Sequence, residues 1–353
     1  MAPSNVLLVA ASVALGVAAP PWFRGVGDLP GGEVSSEVLA LSLDGSALLG
    51  RSSAADLEEE GFMLRIDGMQ RVPLTAHDGQ RVNSQPTAFT DDLQTIVGKM
   101  DSARGPFEAG RWTAAEGWTG LGDLPGGDFI SQALDVSGDG RVIVGWGSSD
   151  HGLVAVRWVE GTPQELGDLP GAACHAAAAC VSRDGLTIAG TGTSERGPEL
   201  FVWHADTGLV ALGDLPGGDF SSEPFGMSPD GRVIVGEGTS ERGVEAFCWT
   251  ANTGLQGLGD LPGGEFRSTA FALSGDGSLI GGFASSDAGT EAFVWDQEHG
   301  MRALAQVLRE SKTVGLDGWK LTEVTGISAN GAVLAGNGVN PQGQPEGWVA
   351  ALR

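Results

Sequence analysis

Carboxylates recur along this chain at fixed intervals, and carboxylates can bind cations, move protons or cap turns. One set is the aspartate of a repeated hexapeptide: Asp28, Asp123, Asp168, Asp214 and Asp260 each follow Gly and precede Leu-Pro-Gly. Hard cations such as Ca²⁺ take carboxylate oxygens, so a ring of these aspartates is a candidate metal site. The competing role is structural: Asp accepts backbone N–H bonds in its own turn, Pro sets φ, and the glycines permit the reversal. The whole motif is turn chemistry, which favours the second role. A second set, Glu60, Glu108, Glu199, Glu245, Glu291 and Glu346, opens equivalent apolar runs, and Arg196 and Arg242 stand three residues before Glu199 and Glu245. Local ion pairs of that kind contribute little at a surface. A third set shares one phase, just ahead of a small residue: Glu37, Gln85, Gln132, Ala177, Glu223, Thr269 and Glu323. Glutamates and amides in one ring could hydrogen-bond a hydroxyl-rich ligand or coordinate a cation.

Few residues read as catalytic. Cys174 and His175 could be a nucleophile with its base, or two metal ligands. No third partner is fixed by the sequence, and the four alanines at 176–179 point to drift within one repeat. The chain has no Gly-x-Ser-x-Gly, no His-Glu-x-x-His, no phosphate loop and no helix-loop-helix Ca²⁺ loop. Its five histidines occupy unrelated positions, and it has no tyrosine.

The elements that carry these residues repeat. Gly-Asp-Leu-Pro-Gly-Gly occurs at 27–32, 122–127, 213–218 and 259–264, with Gly-Asp-Leu-Pro-Gly-Ala at 167–172. The last four copies start 45, 46 and 46 residues apart, and the first gap of 95 spans two periods. A period near 45 marks a repeat architecture. One unit, 220–264, holds four short runs bounded by Gly, Pro, Asp, Asn or Ser, each of strand length and too short for an ordinary helix. Asp230-Gly231 joins the first two as a hairpin turn, and recurs as Asp44-Gly45, Asp139-Gly140, Asp184-Gly185 and Asp276-Gly277. Asn330-Gly331 replaces it in the last unit, and Asp91-Asp92 alters it in the second.

Four strands per unit at this period predict an all-β fold, a seven-bladed β-propeller with four antiparallel strands per blade. The blades fall near 33–74, 84–122, 130–167, 174–213, 221–259, 267–304 and 319–353. The seventh lacks a fourth strand, and Trp22 to Leu29 matches an orphan fourth strand at the other terminus. Residues 21–29 are therefore expected to complete the last blade and remove the open edges. Deleting residues 20–29 should lower stability sharply. In such a ring the third set opens the innermost strands, near the mouth of the central channel. The tryptophans at 112, 158, 203, 249, 295 and 348 suit packing between blades.

Length alone allows two domains, but blades bury their faces only against one another, so residues 20–353 are read as one domain. Acids outnumber bases 45 to 20, for a formal charge of −25. That field repels phosphate backbones and anionic membranes, which argues against nucleic-acid partners. Residues 1–19 read as a signal peptide: an apolar run at 6–19 ends in small residues, though no Lys or Arg precedes it. The run is too short to span a bilayer. No other segment reads as transmembrane. The three cysteines, Cys174, Cys180 and Cys248, give no disulfide framework. Cys174 and Cys180 could bridge only in a bent loop.

The order Leu-Gly-Asp-Leu-Pro-Gly-Gly, Ser-x-Ala, Ser-x-Asp-Gly-x-x-Ile-x-Gly, x-Ala-Phe-x-Trp resembles the HAF repeat family of extracellular bacterial repeats, across residues 21–353. Gly-Trp-Lys-Leu at 318–321, Gly326-Ile-Ser and Gly347-Trp-Val-Ala350 resemble its closing unit. Here Glu199, Glu245 and Glu291, with Glu108 in phase, replace the histidine that names the family. The resemblance implies export and repeats, and brings no catalytic residues. The expected protein is a secreted, monomeric binding module that meets a glycan, peptide or envelope component on one face. Glu37, Gln85, Gln132, Glu223, Thr269 and Glu323 are its candidate contacts, and Ca²⁺ is the cofactor to test. The alternative is a lyase or hydrolase acting on an extracellular polymer through carboxylates such as Glu223 and Glu323. A purely structural exoprotein is the third reading.

Overall fold

The computed structural model describes residues 20–28, 35–54, 57–171 and 175–352. Among the described residues, seven four-stranded antiparallel sheets follow one another, and the first packs against the last, so the sheets form a closed ring. This is a seven-bladed β-propeller. The fifth blade shows the plan: Ser222–Met227, Val233–Ser240, Gly243–Thr250 and Gly254–Gly257 lie side by side from the channel outward.

The first turn of each blade is built the same way. In the fifth, Ser228 Oγ donates to Asp230 Oδ1 at 2.7 Å, and Gly231 takes φ 72°. A side chain in that left-handed region costs about 1–2 kcal/mol. The altered turn of the second blade keeps the device: Thr90 donates to Asp92 at 2.7 Å, and Leu93 at φ 58° stands where the others have glycine.

The closure expected from the termini is present. Trp22–Gly25 pairs antiparallel with Pro345–Ala351, with Trp22 opposite Ala351 and Gly25 opposite Trp348. One hydrogen bond shows that this strand is a true fourth strand. Within ordinary blades, Glu199 accepts from Gly213 N–H and Glu245 from Gly259 N–H; across the termini, Glu346 accepts from Gly27 N–H at 2.8 Å.

The core is divided into slices between neighbouring sheets. Val97 and Ala109 of the second blade meet Ala133, Ile143, Val156 and Trp158 of the third. Phe62 and Leu64 of the first meet Ala335 and Val349 of the seventh. Trp112, Trp158, Trp203 and Trp348 are buried as expected, while Trp249 and Trp295 are half-buried.

The sequence reading contains no helix, yet Leu304–Glu310 forms one. Seven residues make no stable helix alone, so burial must hold it. Leu304 and Leu308, four apart, point into a cluster with Phe23, Leu316 and Trp348. The chain after it runs beside the closing strand, where Phe23 N–H donates to Val314 O at 2.9 Å. Among the described residues no helix is long and apolar enough to cross a membrane.

Candidate functional site

The inner strands line the channel and give it two unlike ends. At the end where they finish, the second residues of the seven first turns are Leu43, Asp91, Gly138, Arg183, Pro229, Gly275 and Ala329. Five backbone bonds link them around the axis: Asp91 to Gly138, Gly138 to Arg183, Arg183 to Pro229, Gly275 to Ala329 and Ala329 to Leu43, at 2.7–3.1 Å. Pro229 has no N–H to pass on. The Arg183 guanidinium lies over this end, bonded to Asp91 and to Val136 O at 3.2 Å.

The strands start about 20 Å away, by the rise of six extended residues. Here the structure assembles the third set into a ring. The repeated glycine of the second strand explains how closely the two inner strands meet. A Cβ on Gly236 would lie 1.9 Å from Glu223 O, and one on Gly145, 1.9 Å from Gln132 O. The residue after that glycine stands opposite the mouth residue. The cross-strand pairs are Glu37 with Arg51, Gln85 with Lys99, Gln132 with Trp146, Ala177 with Thr191, Glu223 with Glu237, Thr269 with Phe283, and Glu323 with Asn337.

These pairs divide the mouth. From the fifth blade through the seventh to the first it is anionic. Arg51 Nε meets Glu37 Oε2 at 2.5 Å, and Asn337 Nδ2 donates to Glu323 Oε1 at 2.8 Å. Thr269 is buried and donates to Glu237 Oε2 at 2.6 Å, so it is turned from solvent toward the neighbouring blade. Glu223 is exposed within the concave mouth, yet desolvation by the walls, with the Glu237 carboxylate second, holds its carboxyl above the usual range. Burial also raises Glu323, opposed by its bond from Asn337 and helped by Glu37. On this side Phe225 meets Phe271 edge to face and Phe271 meets Phe283 at a tilt of 44°, with centroids 5.4 and 5.7 Å apart. On the second and third blades the mouth holds Gln85, Lys99, Gln132 and Trp146, with Phe107 set perpendicular to Trp146 at 6.0 Å.

The hexapeptide aspartates do not converge. Asp214 accepts from Leu215 N–H at 2.7 Å, Ser221 N–H at 2.8 Å and Thr239 N–H at 3.2 Å. Asp123, Asp168 and Asp260 repeat the pattern, as with Ile130, His175 and Arg267 N–H, and Asp28 accepts the Ser52 hydroxyl. Among the described residues no group of three or more His, Cys, Asp or Glu is placed to hold a metal ion. The glutamates of the second set likewise serve their own blades: Glu60 meets Arg81 at 2.5 Å, and Arg196 meets Glu199 at 2.9 Å. The sequence reading missed that these turns also stack guanidinium on ring: Arg104 over Phe129, Arg196 over Phe220 and Arg242 over Phe266, at 3.9–4.0 Å.

Cys174 lies outside the described residues. Cys180 is buried, and burial with Asp135 nearby pushes its thiol up, away from nucleophilic use. His175 is exposed. A separate groove of about 1140 Å³ runs by the helix, lined in part by Trp295, Asp296, His299 and Arg302. Within it Asp296 takes His299 at 2.8 Å and Arg302 at 2.5 Å.

No protein-family model and no curated protein matches the sequence. Solved structures match the fold. Oligogalacturonate lyase from Vibrio parahaemolyticus is 12% identical, with a TM-score of 0.57 over 96% of this chain and 98% of that one. The β-propeller domain of the Trilobed protease from Pyrococcus furiosus, described as having an open velcro topology, is 9% identical, with a TM-score of 0.56 over 89% and 95%. The chain also matches TolB from Acinetobacter baumannii, with a TM-score of 0.49 and 13% identity over 76% of this chain and 62% of that one. At these identities the likeness shows a β-propeller and nothing narrower.

Proposed function

We propose that this protein is a binding module that recognises an extracellular glycan at the open mouth of its channel. One observation carries the reading: side-chain chemistry changes from blade to blade at the mouth, while the frame behind it repeats. Amides, carboxylates and hydroxyls there can bond sugar hydroxyls, and Trp146, Phe107 and Phe225 offer ring faces to the apolar side of a pyranose. Export follows from the apolar run at 6–19, which lies outside the described residues, and intact-mass analysis of the secreted protein tests it. A glycan-array screen with and without Ca²⁺ tests the function. Binding that mutation of Trp146 removes supports the reading, and binding to no glycan in either condition overturns it.

A second reading rests on Glu223 and Glu323. Carboxyls held above their ordinary range can serve as general acids in a lyase or hydrolase. Incubation with each glycan that binds decides it: shortened or unsaturated products that vanish in Glu223→Gln or Glu323→Gln favour the enzyme.

A further inference from the structure

We infer that the cleft of the second blade is a subsite for one acidic sugar residue, whose anionic substituent sits on Lys99. The inference rests on the glycan reading of the mouth and narrows it. The cleft holds about 160 Å³, enough for a single monosaccharide ring, and is bounded by Asn83, Ser84, Gln85, Lys99, Asp101 and Phe107.

Lys99 supplies the charge. It is one of three lysines in the chain, with Lys312 and Lys320. The other cation of the ring, Arg51, is taken by Glu37 at 2.5 Å. Lys99 forms no ion pair among the described residues; its Nζ lies 5.0 Å from the centroid of the Phe107 ring. An ammonium with three donors and no carboxylate partner, inside a strongly anionic protein, is the one place at the mouth where a negative group gains contact attraction. The nearest opposing charge is Asp101 in the same cleft, which accepts from Asn83 Nδ2 at 2.9 Å; exposed charges more than about 10 Å away are screened at 0.1 M salt.

The second observation lies beneath Lys99. A serine precedes the mouth residue in five of the seven blades, and in the third, fifth and sixth it is a rivet between blades. Ser131 Oγ accepts from Ala109 N–H at 3.1 Å and donates to Gly122 O at 3.3 Å; Ser222 accepts from Leu200 N–H at 3.0 Å and donates to Gly213 O at 2.7 Å. Ser268 repeats both contacts. Ser84, 3% exposed, has no partner for its Oγ, and neither has Asn83 Oδ1 beside it, though Asn83 Nδ2 donates to Asp101 at 2.9 Å. Buried polar atoms are bonded in nearly all folded proteins. Both residues line the cleft, but Ser84 Oγ is turned to the seam with the first blade, where a Cβ on Gly61 would lie 3.1 Å from it, so the Asn83 amide is the polar group offered to ring hydroxyls. Phe107, backed by Trp146, provides the stacking wall. Lys99, the Asn83 amide and the ring together match a sugar that bears hydroxyls and a single anion.

The charge could belong to a uronate carboxylate or a sulfate ester, and the test separates them. Binding of the intact protein to a uronate oligosaccharide, its carboxyl-reduced counterpart and a sulfated neutral oligosaccharide is measured by calorimetry. The acidic forms are expected to bind at least tenfold more tightly than the reduced one. Lys99→Met should bring them to the neutral level at an unchanged melting temperature, and Lys99→Arg should keep most of the preference. Whichever acidic form binds more tightly identifies the substituent. Equal affinity for acidic and reduced forms, or a preference untouched by Lys99→Met, overturns the acidic subsite and leaves the glycan reading standing. Binding of none of the three, with none on the array, sinks both.

Discussion

The two ends of the channel are made from the same seven strands and behave oppositely. At the narrow end the chain repeats its chemistry: a hydroxyl, a carboxylate or amide and a left-handed residue shape every turn, and backbone groups bond turn to turn around the axis. At the mouth the backbone repeats but the side chains do not, running from Glu223 facing Glu237 to Gln132 facing Trp146. The difference teaches that the frame is fixed by backbone contacts which any blade can make. Side chains at the mouth are therefore free to differ, and the proposed recognition falls where the repeat breaks its own rule.

The comparison can be broken most forcefully within the fifth blade. Gly236→Ala drives a methyl onto Glu223 O, a backbone atom that cannot swing away. It should cost about 3 kcal/mol in denaturant unfolding, at the upper range for overpacking. Gly236 belongs to the frame, so an unchanged midpoint would show that the frame is not what holds the mouth residue in place. Next in size is Asp214→Ala, which strips the Leu215 and Ser221 N–H groups of their acceptor, while Thr239 N–H keeps Ser221 O, and should cost about 1–3 kcal/mol. Its mouth counterpart, Glu223→Gln, should leave stability within about 0.5 kcal/mol of the parent, the norm for an exposed site, while altering glycan affinity. A larger loss from Glu223→Gln than from Asp214→Ala would reverse the assignment of frame and site.

A further effect is pH-dependent. Asp135 breaks the repeat inside the channel wall, where other inner strands have Ala40, Ala88 and Ala272. Its Oδ2 accepts from Val181 N–H of the next blade at 2.8 Å, and burial lifts its pKa to about 6. The folded state thus binds the proton more tightly than the unfolded one, so this group opposes folding at pH 7 and the penalty fades as pH falls through 6. Between pH 7 and pH 5 the parent should gain stability relative to Asp135→Asn. Parallel curves would remove Asp135 as the cause.

Much of this fold was legible because the repeat supplies its own alignment. The period and the Asp-Gly turns gave the blades, and the unpaired strand at each terminus gave the closure. The mouth residues Glu37, Gln85 and Glu223 were legible because they share one phase. Their cross-strand partners were present in the same pattern, one residue after the glycine of Ile-Val-Gly, but only hairpin register brings Lys99 or Trp146 to the site. Phe107 sits in a loop with no periodic signal. The helix at Leu304–Glu310 is too short to show periodicity and exists because Phe23, far away in sequence, covers Leu304 and Leu308.

The most direct test of recognition at the mouth uses the ten tryptophans as reporters. Indole ¹⁵N labelling gives one signal for each, and Trp146→Phe identifies the one at the mouth. Titration with a glycan that binds should move the Trp146 signal and leave buried Trp158 unmoved. Movement confined to Trp249 or Trp295, with Trp146 still, would place the ligand elsewhere and contradict the account.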